Sequence, residues 1–226
     1  MLDKLTRSRS AISAALLLVP FSADALTLDV YDTTTDNFIR IEDGGAGDAD
    51  GKLNGKIVVV DVAVGDALVS ISTALQLETA GSSTLELTAS NARAGANALF
   101  IDASHDGFTA ASQAPLPSLV HFSMNASSLV DGDLAGIGCA GAATDAPCSA
   151  FNDGGRLTDT GDDINVSAAV PLPDPFSMSI NTTLAGGATT TFSATLTAQV
   201  PVPAAGLMLL TALGGLGVAR RHRKAA

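Results

Sequence analysis

Apolar and polar residues alternate with a period of two along much of the chain. From Ala67 to Leu77, Val69, Ile71, Thr73, Leu75 and Leu77 point one way, and Ser70, Ser72, Ala74 and Gln76 the other. Successive side chains of an extended chain leave on opposite sides, so this is the signature of a strand with one buried face. Thr84 to Ala89 repeats it, with Leu85 and Leu87 against Thr84, Glu86 and Thr88. In Leu119 to Met124 the residues Val120, Phe122 and Met124 share a face. Phe176, Met178 and Ile180 alternate with Ser177, Ser179 and Asn181, and Phe192, Ala194, Leu196 and Ala198 with Ser193, Thr195 and Thr197. Gly186-Gly187 between these last two runs predicts a hairpin, since tight turns need positive φ. Ile57 to Val64 is almost continuously apolar apart from Asp61, which predicts a strand covered on both faces. No comparable stretch shows a 3.6-residue period, so helix is expected to be scarce.

About nine or ten short strands with Ser/Thr outer faces and Gly/Asp turns predict one antiparallel β-sandwich of jelly-roll type. Two apolar inner faces stack to form the core and the Ser/Thr faces stay wet. Ala114-Pro115-Leu116-Pro117 and Pro171-Leu172-Pro173-Asp174-Pro175 read as rigid connections between strands of one domain, because each joins segments of the same alternation.

The two ends follow other rules. Lys4, Arg7 and Arg9 precede an apolar stretch from Ala11 to Phe21, and Ala23-Asp24-Ala25 supplies a small-x-small site. Together these predict a secretory signal peptide over residues 1–25 and a mature chain beginning at Leu26. At the other end, Val200-Pro201-Val202-Pro203-Ala204 stops the preceding strand, since proline lacks the N–H a ladder needs. The apolar run 204–219 follows, and then the basic cluster Arg220, Arg221, His222, Arg223 and Lys224. Sixteen residues make about 24 Å of helix at ~1.5 Å each, short of a ~30 Å hydrocarbon core, and snorkelling arginines extend the reach. The expected orientation leaves the cations Arg220, Arg221, Arg223 and Lys224 cytoplasmic and everything before Val200 outside.

This tail resembles the PEP-CTERM class of protein-sorting signals of Gram-negative bacteria, in its Val-Pro-Leu-Pro-Ala (VPLPA-CTERM) variant, with Val202 in place of the leucine. The likeness covers the last 27 residues, 200–226, in which motif, apolar run and basic cluster stand in the family's order. It implies a membrane-held intermediate whose sorting motif Val200, Pro201, Val202, Pro203 and Ala204 is read by an exosortase-like transpeptidase. That enzyme passes the protein on from the inner membrane to the cell surface or an extracellular polysaccharide matrix. The layout of the exported part, 26–199, is similar to β-sandwich ectodomains that precede such tails, which implies architecture and export rather than an activity.

Charge sharpens the picture. The whole chain carries −11, with 12 Lys+Arg against 23 Asp+Glu. Seven cations but only Asp3 and Asp24 among the acids lie in the terminal signals, so residues 26–199 hold five cations against 21 acids, a net −16. That balance argues against a nucleic-acid partner. Cys139 and Cys148, nine apart in a Gly/Ala/Pro stretch, are expected to form a disulfide in an exported protein. The acidic, glycine-rich segment Asp43-Gly44-Gly45-Ala46-Gly47-Asp48-Ala49-Asp50-Gly51 is the one candidate for a cofactor. Calcium takes six to eight oxygens and glycine lets a chain curl around it, which makes Asp43, Asp48 and Asp50 candidate ligands. Ala49 occupies an aspartate place of the calcium nonapeptide and no distal Glu completes an EF-hand, so turn-forming Asp/Gly is the favoured reading. Asp131-Gly132-Asp133, and Asn152-Asp153-Gly154-Gly155 with Asp159, Asp162 and Asp163, read as further acidic loops.

Asp102, His105 and Asp106 invite the test of a hydrolase, but no Gly-x-Ser-x-Gly elbow or His-Glu-x-x-His accompanies them. With 8 Phe, 1 Tyr and no Trp, the chain is poor in the aromatic platforms that sugar-binding sites use. The three Asn-x-Ser/Thr matches at Asn125, Asn165 and Asn181 read as chance in such a bacterium. The expectation is therefore a non-enzymatic exported surface or matrix protein, associated with biofilm exopolysaccharide. A calcium-dependent or glycan-binding adhesion module is the alternative.

Overall fold

A computed structural model describes residues 26–33, 37–78, 82–108, 117–142 and 146–199. The expected signal peptide (1–25) and sorting tail (200–226), including the expected helix at 204–219, lie outside the described residues. Among the described residues the protein is all-β, with no helix and hence none long enough to cross a membrane.

Twelve strands follow one another among the described residues: β1 (Thr27–Asp32), β2 (Phe38–Glu42), β3 (Lys56–Val64), β4 (Ala67–Glu78), β5 (Ser82–Arg93), β6 (Leu99–Phe108), β7 (Ser118–Val130), β8 (Leu134–Ala142), β9 (Ala146–Leu157), β10 (Asp163–Val170), β11 (Phe176–Leu184) and β12 (Thr189–Gln199). They form two antiparallel six-stranded sheets, A in the order β2-β1-β6-β11-β8-β9 and B in the order β10-β7-β12-β5-β4-β3. If β5 to β12 are counted one to eight, their orders are 1-8-3-6 in sheet B and 2-7-4-5 in sheet A. This is the nested order of a jelly roll. β1 and β2 widen sheet A, and β3 and β4 widen sheet B.

The core lies between the sheets, as the alternation demands. Leu28, Val30, Ile101, Ile180 and Phe176 of sheet A face Ile71, Leu85, Leu87, Phe122, Phe192 and Leu196 of sheet B, all buried. Five of the eight phenylalanines are used here, and Phe108 stacks on Phe176 with ring centroids 5.1 Å apart. Burying each such side chain contributes about 1.5–3 kcal/mol.

The structure corrects three local expectations. Gly186-Gly187 makes a turn, with Gly187 at φ +80°, but not a hairpin: β11 pairs with β6 and β8, and β12 with β5 and β7. Each strand brings an inner face that is apolar but for one buried threonine, Thr182 on β11 and Thr190 on β12, so the turn arches between the sheets and sets the faces across the core from one another. It docks on the neighbouring β5–β6 arch, where Gly187 N donates to Gly95 O at 2.6 Å and Ala94 N to Ala188 O at 2.9 Å. Second, the apolar run Ile57–Val64 is the edge strand of sheet B, with Val60 60% exposed. A bulge between Val59 and Val62 places Asp61 at φ +49°, where its N–H and carboxylate both bond the Ser70 hydroxyl at 2.9 Å. A bulge and an acid are common guards against edge-to-edge pairing. Third, Asn152-Asp153-Gly154-Gly155 is not a loop but part of the edge strand β9, paired with Gly136 to Cys139 of β8.

Candidate functional site

The outer face of sheet A carries the most varied chemistry among the described residues. Leu28 and Val30 of β1 enter the core, so Thr27, Asp29 and Tyr31 face outward. By the same alternation β2 presents Phe38, Arg40 and Glu42, β6 presents Phe100, Asp102 and Ser104, and β11 presents Ser179, Asn181 and Thr183. Register then joins residues that are remote in sequence. One row runs Arg40, Asp29, Asp102, Asn181, Ile137, and the next runs Phe38, Tyr31, Phe100, Thr183, Ala135. Five strands at ~4.8 Å make each row roughly 19 Å long.

The aromatic row is compact. Tyr31 and Phe100 lie with ring centroids 4.6 Å apart and planes tilted by 31°. Phe38, 52% exposed, has the Arg40 guanidinium 5.7 Å from its ring centroid. In the polar row Arg40 grips Asp29 with two parallel hydrogen bonds, Nε to Oδ1 at 2.8 Å and Nη2 to Oδ2 at 2.6 Å. This bond and the charge of Asp29 hold the guanidinium above its ordinary pKa. So exposed a pair adds little stability, but the bidentate fork fixes both groups.

Asp102 is different. Its Oδ1 is buried and accepts no hydrogen bond. Burial first, and the Asp29 charge second, push its carboxyl up to about 7, against the opposing pull of Arg40. The Asn181 side chain, opposite Asp102 on β11, donates instead to Ser179 Oγ at 3.1 Å and Cys139 Sγ at 3.7 Å. An apolar strip beside polar groups can orient a ligand with one apolar and one polar edge.

The sequence singled out Asp102, but not its partners. His105 of the same triplet has its ring edge-on to Phe108 at 4.7 Å. Phe38, Arg40, Tyr31 and Phe100 went unremarked as a site, although each strand's alternation already places them on an outer face. The poverty of aromatics is real, yet three of the nine share this row.

Cys139 of β8 and Cys148 of β9 form the expected disulfide, with Cα atoms 4.5 Å apart. The acidic segment is the connection from edge strand β2 of one sheet to edge strand β3 of the other. Its carboxylates point into their own loop. Asp48, buried, accepts from Gly44 N at 3.0 Å, Val58 N at 3.0 Å and Asp50 N at 3.3 Å. Asp43, also buried, accepts from Gly55 N at 2.6 Å and Asn54 N at 3.2 Å. The Lys52 N–H, then the Asn54 amide, hold the exposed Asp50 carboxyl below its ordinary pKa. Among the described residues no group of three or more His, Cys, Asp or Glu is placed to hold a metal ion. Asp162 likewise closes the β9–β10 turn, its carboxyl lowered by the N–H groups of Thr158 and Asp159. The sorting residues Val200, Pro201, Val202, Pro203 and Ala204 and the cluster Arg220, Arg221, Arg223 and Lys224 lie outside the described residues.

No family model matches the chain. No curated protein matches it either. Among solved structures, it is similar to the enzymatically active domain of bacteriophage CBA120 tailspike protein 4, at 15% identity and a TM-score of 0.30, covering 54% of this chain and only 17% of that one. It is also similar to carbohydrate-binding modules of the β-sandwich superfamily, at 13% identity and a TM-score of 0.32, covering 76% and 83%. A family 11 carbohydrate-binding module from Clostridium thermocellum, in complex with a β-1,3-1,4-mixed-linked tetrasaccharide, aligns at 10% identity and a TM-score of 0.26, covering 66% and 97%. At such identities and scores, nothing these proteins bind or cleave is carried over to this chain.

Proposed function

We propose that this is a non-enzymatic exported protein of the cell surface or extracellular matrix whose sandwich, 26–199, holds carbohydrate on the outer face of sheet A. The observation that carries the binding is the assembly, from four strands, of the Phe38–Tyr31–Phe100 row beside the Arg40–Asp29–Asp102–Asn181 row. Sugars present an apolar C–H face and a rim of hydroxyls, and the two rows offer a surface for each. The disulfide fits an oxidising compartment. Export rests on the leader at 1–25, and sorting by an exosortase-like enzyme on the tail at 200–226, with the inner membrane as way-station and exopolysaccharide as the partner.

Affinity electrophoresis through gels containing neutral polysaccharides tests the binding. The protein is retarded by at least one of them, and a Tyr31→Ala, Phe100→Ala variant that keeps its far-UV spectrum runs free; retardation undiminished in that variant places the sugar elsewhere. Mass spectrometry of the native termini tests the sorting, and a C-terminus still at Ala226 in every fraction overturns it.

A further inference from the structure

Both arginines on the outer face of sheet A are held by an aspartate. Arg40 on edge strand β2 is forked onto Asp29 of β1. Arg156 stands opposite Ala135 on the other edge strand, β9, which puts it at the far end of the Phe38–Tyr31–Phe100 row, and its guanidinium is paired with Asp133. In each pair the aspartate is the enclosed partner, 14% and 20% exposed, and the arginine the open one, 57% and 68% exposed. Among the described residues no other Lys or Arg lies on this face: Lys52 belongs to the β2–β3 connection, and Lys56 and Arg93 to sheet B. Exposed pairs of this kind add little to stability, so what the aspartates change is the potential of the face. They cancel each positive charge where a passing anion would meet it.

We infer that this face selects uncharged polysaccharide and turns away acidic chains, with Asp29–Arg40 and Asp133–Arg156 as its specificity-determining pairs. This rests on the carbohydrate reading above and names the class of sugar. A carboxylate or sulfate on a polysaccharide is held best by the fork of a free guanidinium, and at Arg40 Asp29 already fills that fork through Nε and Nη2. Two of the five guanidinium N–H groups go to Asp29. The rest can donate to a sugar hydroxyl or ring oxygen, which brings no charge of its own. Glu42, on the same side of β2 as Arg40, and the acidic excess of residues 26–199 add repulsion against a polyanion. Neutralising one of these aspartates therefore changes which sugars bind rather than whether the sandwich folds.

The test is calorimetry of the full-length protein with cellohexaose, laminarihexaose and mannohexaose, and with the same three chains carrying carboxylates in place of their primary alcohols. Each is titrated at about 0.01 M and about 0.15 M salt, where the screening length is ~30 Å and ~8 Å. The expected result is binding of at least one neutral chain, with its oxidised counterpart roughly tenfold weaker at the lower salt and the gap narrowing at the higher. Asp29→Asn uncovers the charge of Arg40 and is expected to narrow the gap at low salt, and Asp133→Asn does the same from the other edge. The salt dependence of the wild type stands as evidence even if a variant fails to fold. An oxidised chain that binds at least as tightly as its neutral parent, or a gap that salt does not move, overturns the charge selection and leaves carbohydrate binding intact. A gap unchanged in both folded variants overturns the role of the two pairs. Binding of none of the six chains overturns this inference and the carbohydrate reading together.

Discussion

Gly138 of sheet A lies directly on the Phe122 ring of sheet B. A Cβ added at Gly138 would stand 2.8 Å from three atoms of Phe122, Cβ among them, and Phe122 is completely buried. The glycine on β8 thus makes room for one of the largest core side chains. Gly138→Ala is expected to cost about 1–3 kcal/mol, the usual range for overpacking a filled core. Chemical denaturation reads this directly, with Phe122→Leu restoring part of the loss in the double variant. An unchanged midpoint in Gly138→Ala would show that the sheets separate freely at this point.

Asp48 fixes the crossing between the sheets at β2–β3, since its two oxygens take three backbone N–H groups, one of them from Val58 in β3. Hydrogen bonds to a charged acceptor contribute about 1.5–3 kcal/mol, and removing the acceptor leaves buried donors unpaired. Asp48→Ala is expected to lose about 2–3 kcal/mol, whereas Asp50→Ala, exposed at the loop's rim, is expected to lose less. Because the carboxylates already serve the loop, excess EDTA is expected to leave the melting temperature of the wild type unchanged. A drop on chelation that calcium restores would make Asp43, Asp48 and Asp50 ligands after all.

Much of the architecture was legible because period-two alternation is a direct imprint of one buried face. The pattern assigns inner and outer sides strand by strand: Phe176, Met178, Ile180, Phe192 and Leu196 are all buried where it puts them. It is silent on which strand pairs with which. Gly186-Gly187 has the φ of a tight turn, yet whether the chain folds back in its own sheet or arches to the other depends on β6 and β5 lying ready beside β11 and β12. The same silence hid the candidate site. TLDVYD, FIRIE and LFIDAS each alternate visibly, but Arg40, Asp29, Asp102 and Asn181 are scattered from position 29 to position 181 and meet only through register. The apolar run of β3 misled for a related reason, since a bulge turns part of it outward and no local signal announces a bulge.

The Cys139–Cys148 bridge clamps β8 to β9, where β9 is a sheet edge. With only nine residues of separation, the loop-entropy contribution is about 2–3 kcal/mol. Reduction is therefore expected to lower stability by about that much without unfolding the sandwich. Hydrogen exchange should speed up in β9 and the adjacent half of β8 while β5, β7 and β12 keep their protection. Global loss of protection on reduction would make the hairpin a keystone of the fold rather than a local clamp.

Asp102 makes stability depend on pH in a definite direction. Its folded-state carboxyl is raised to about 7 from an unfolded value of about 3.9, so between these limits the native state binds more protons than the unfolded one. By linkage its contribution is most favourable below about pH 4 and declines as pH rises through about 7, a swing on the order of 4 kcal/mol. The acids held low by backbone N–H groups, Asp50 and Asp162, act in the opposite sense, but only below about pH 4. Asp102→Asn mimics the neutral carboxyl in size and hydrogen-bonding capacity. The difference in stability between Asp102→Asn and wild type is therefore expected to move in favour of the variant between pH 5 and pH 8, read by urea denaturation at each pH. Asp29→Asn removes the second cause of the shift and should reduce this trend in an otherwise wild-type background. A difference that stays constant across that range would mean that the folded-state Asp102 carboxyl does not titrate within it.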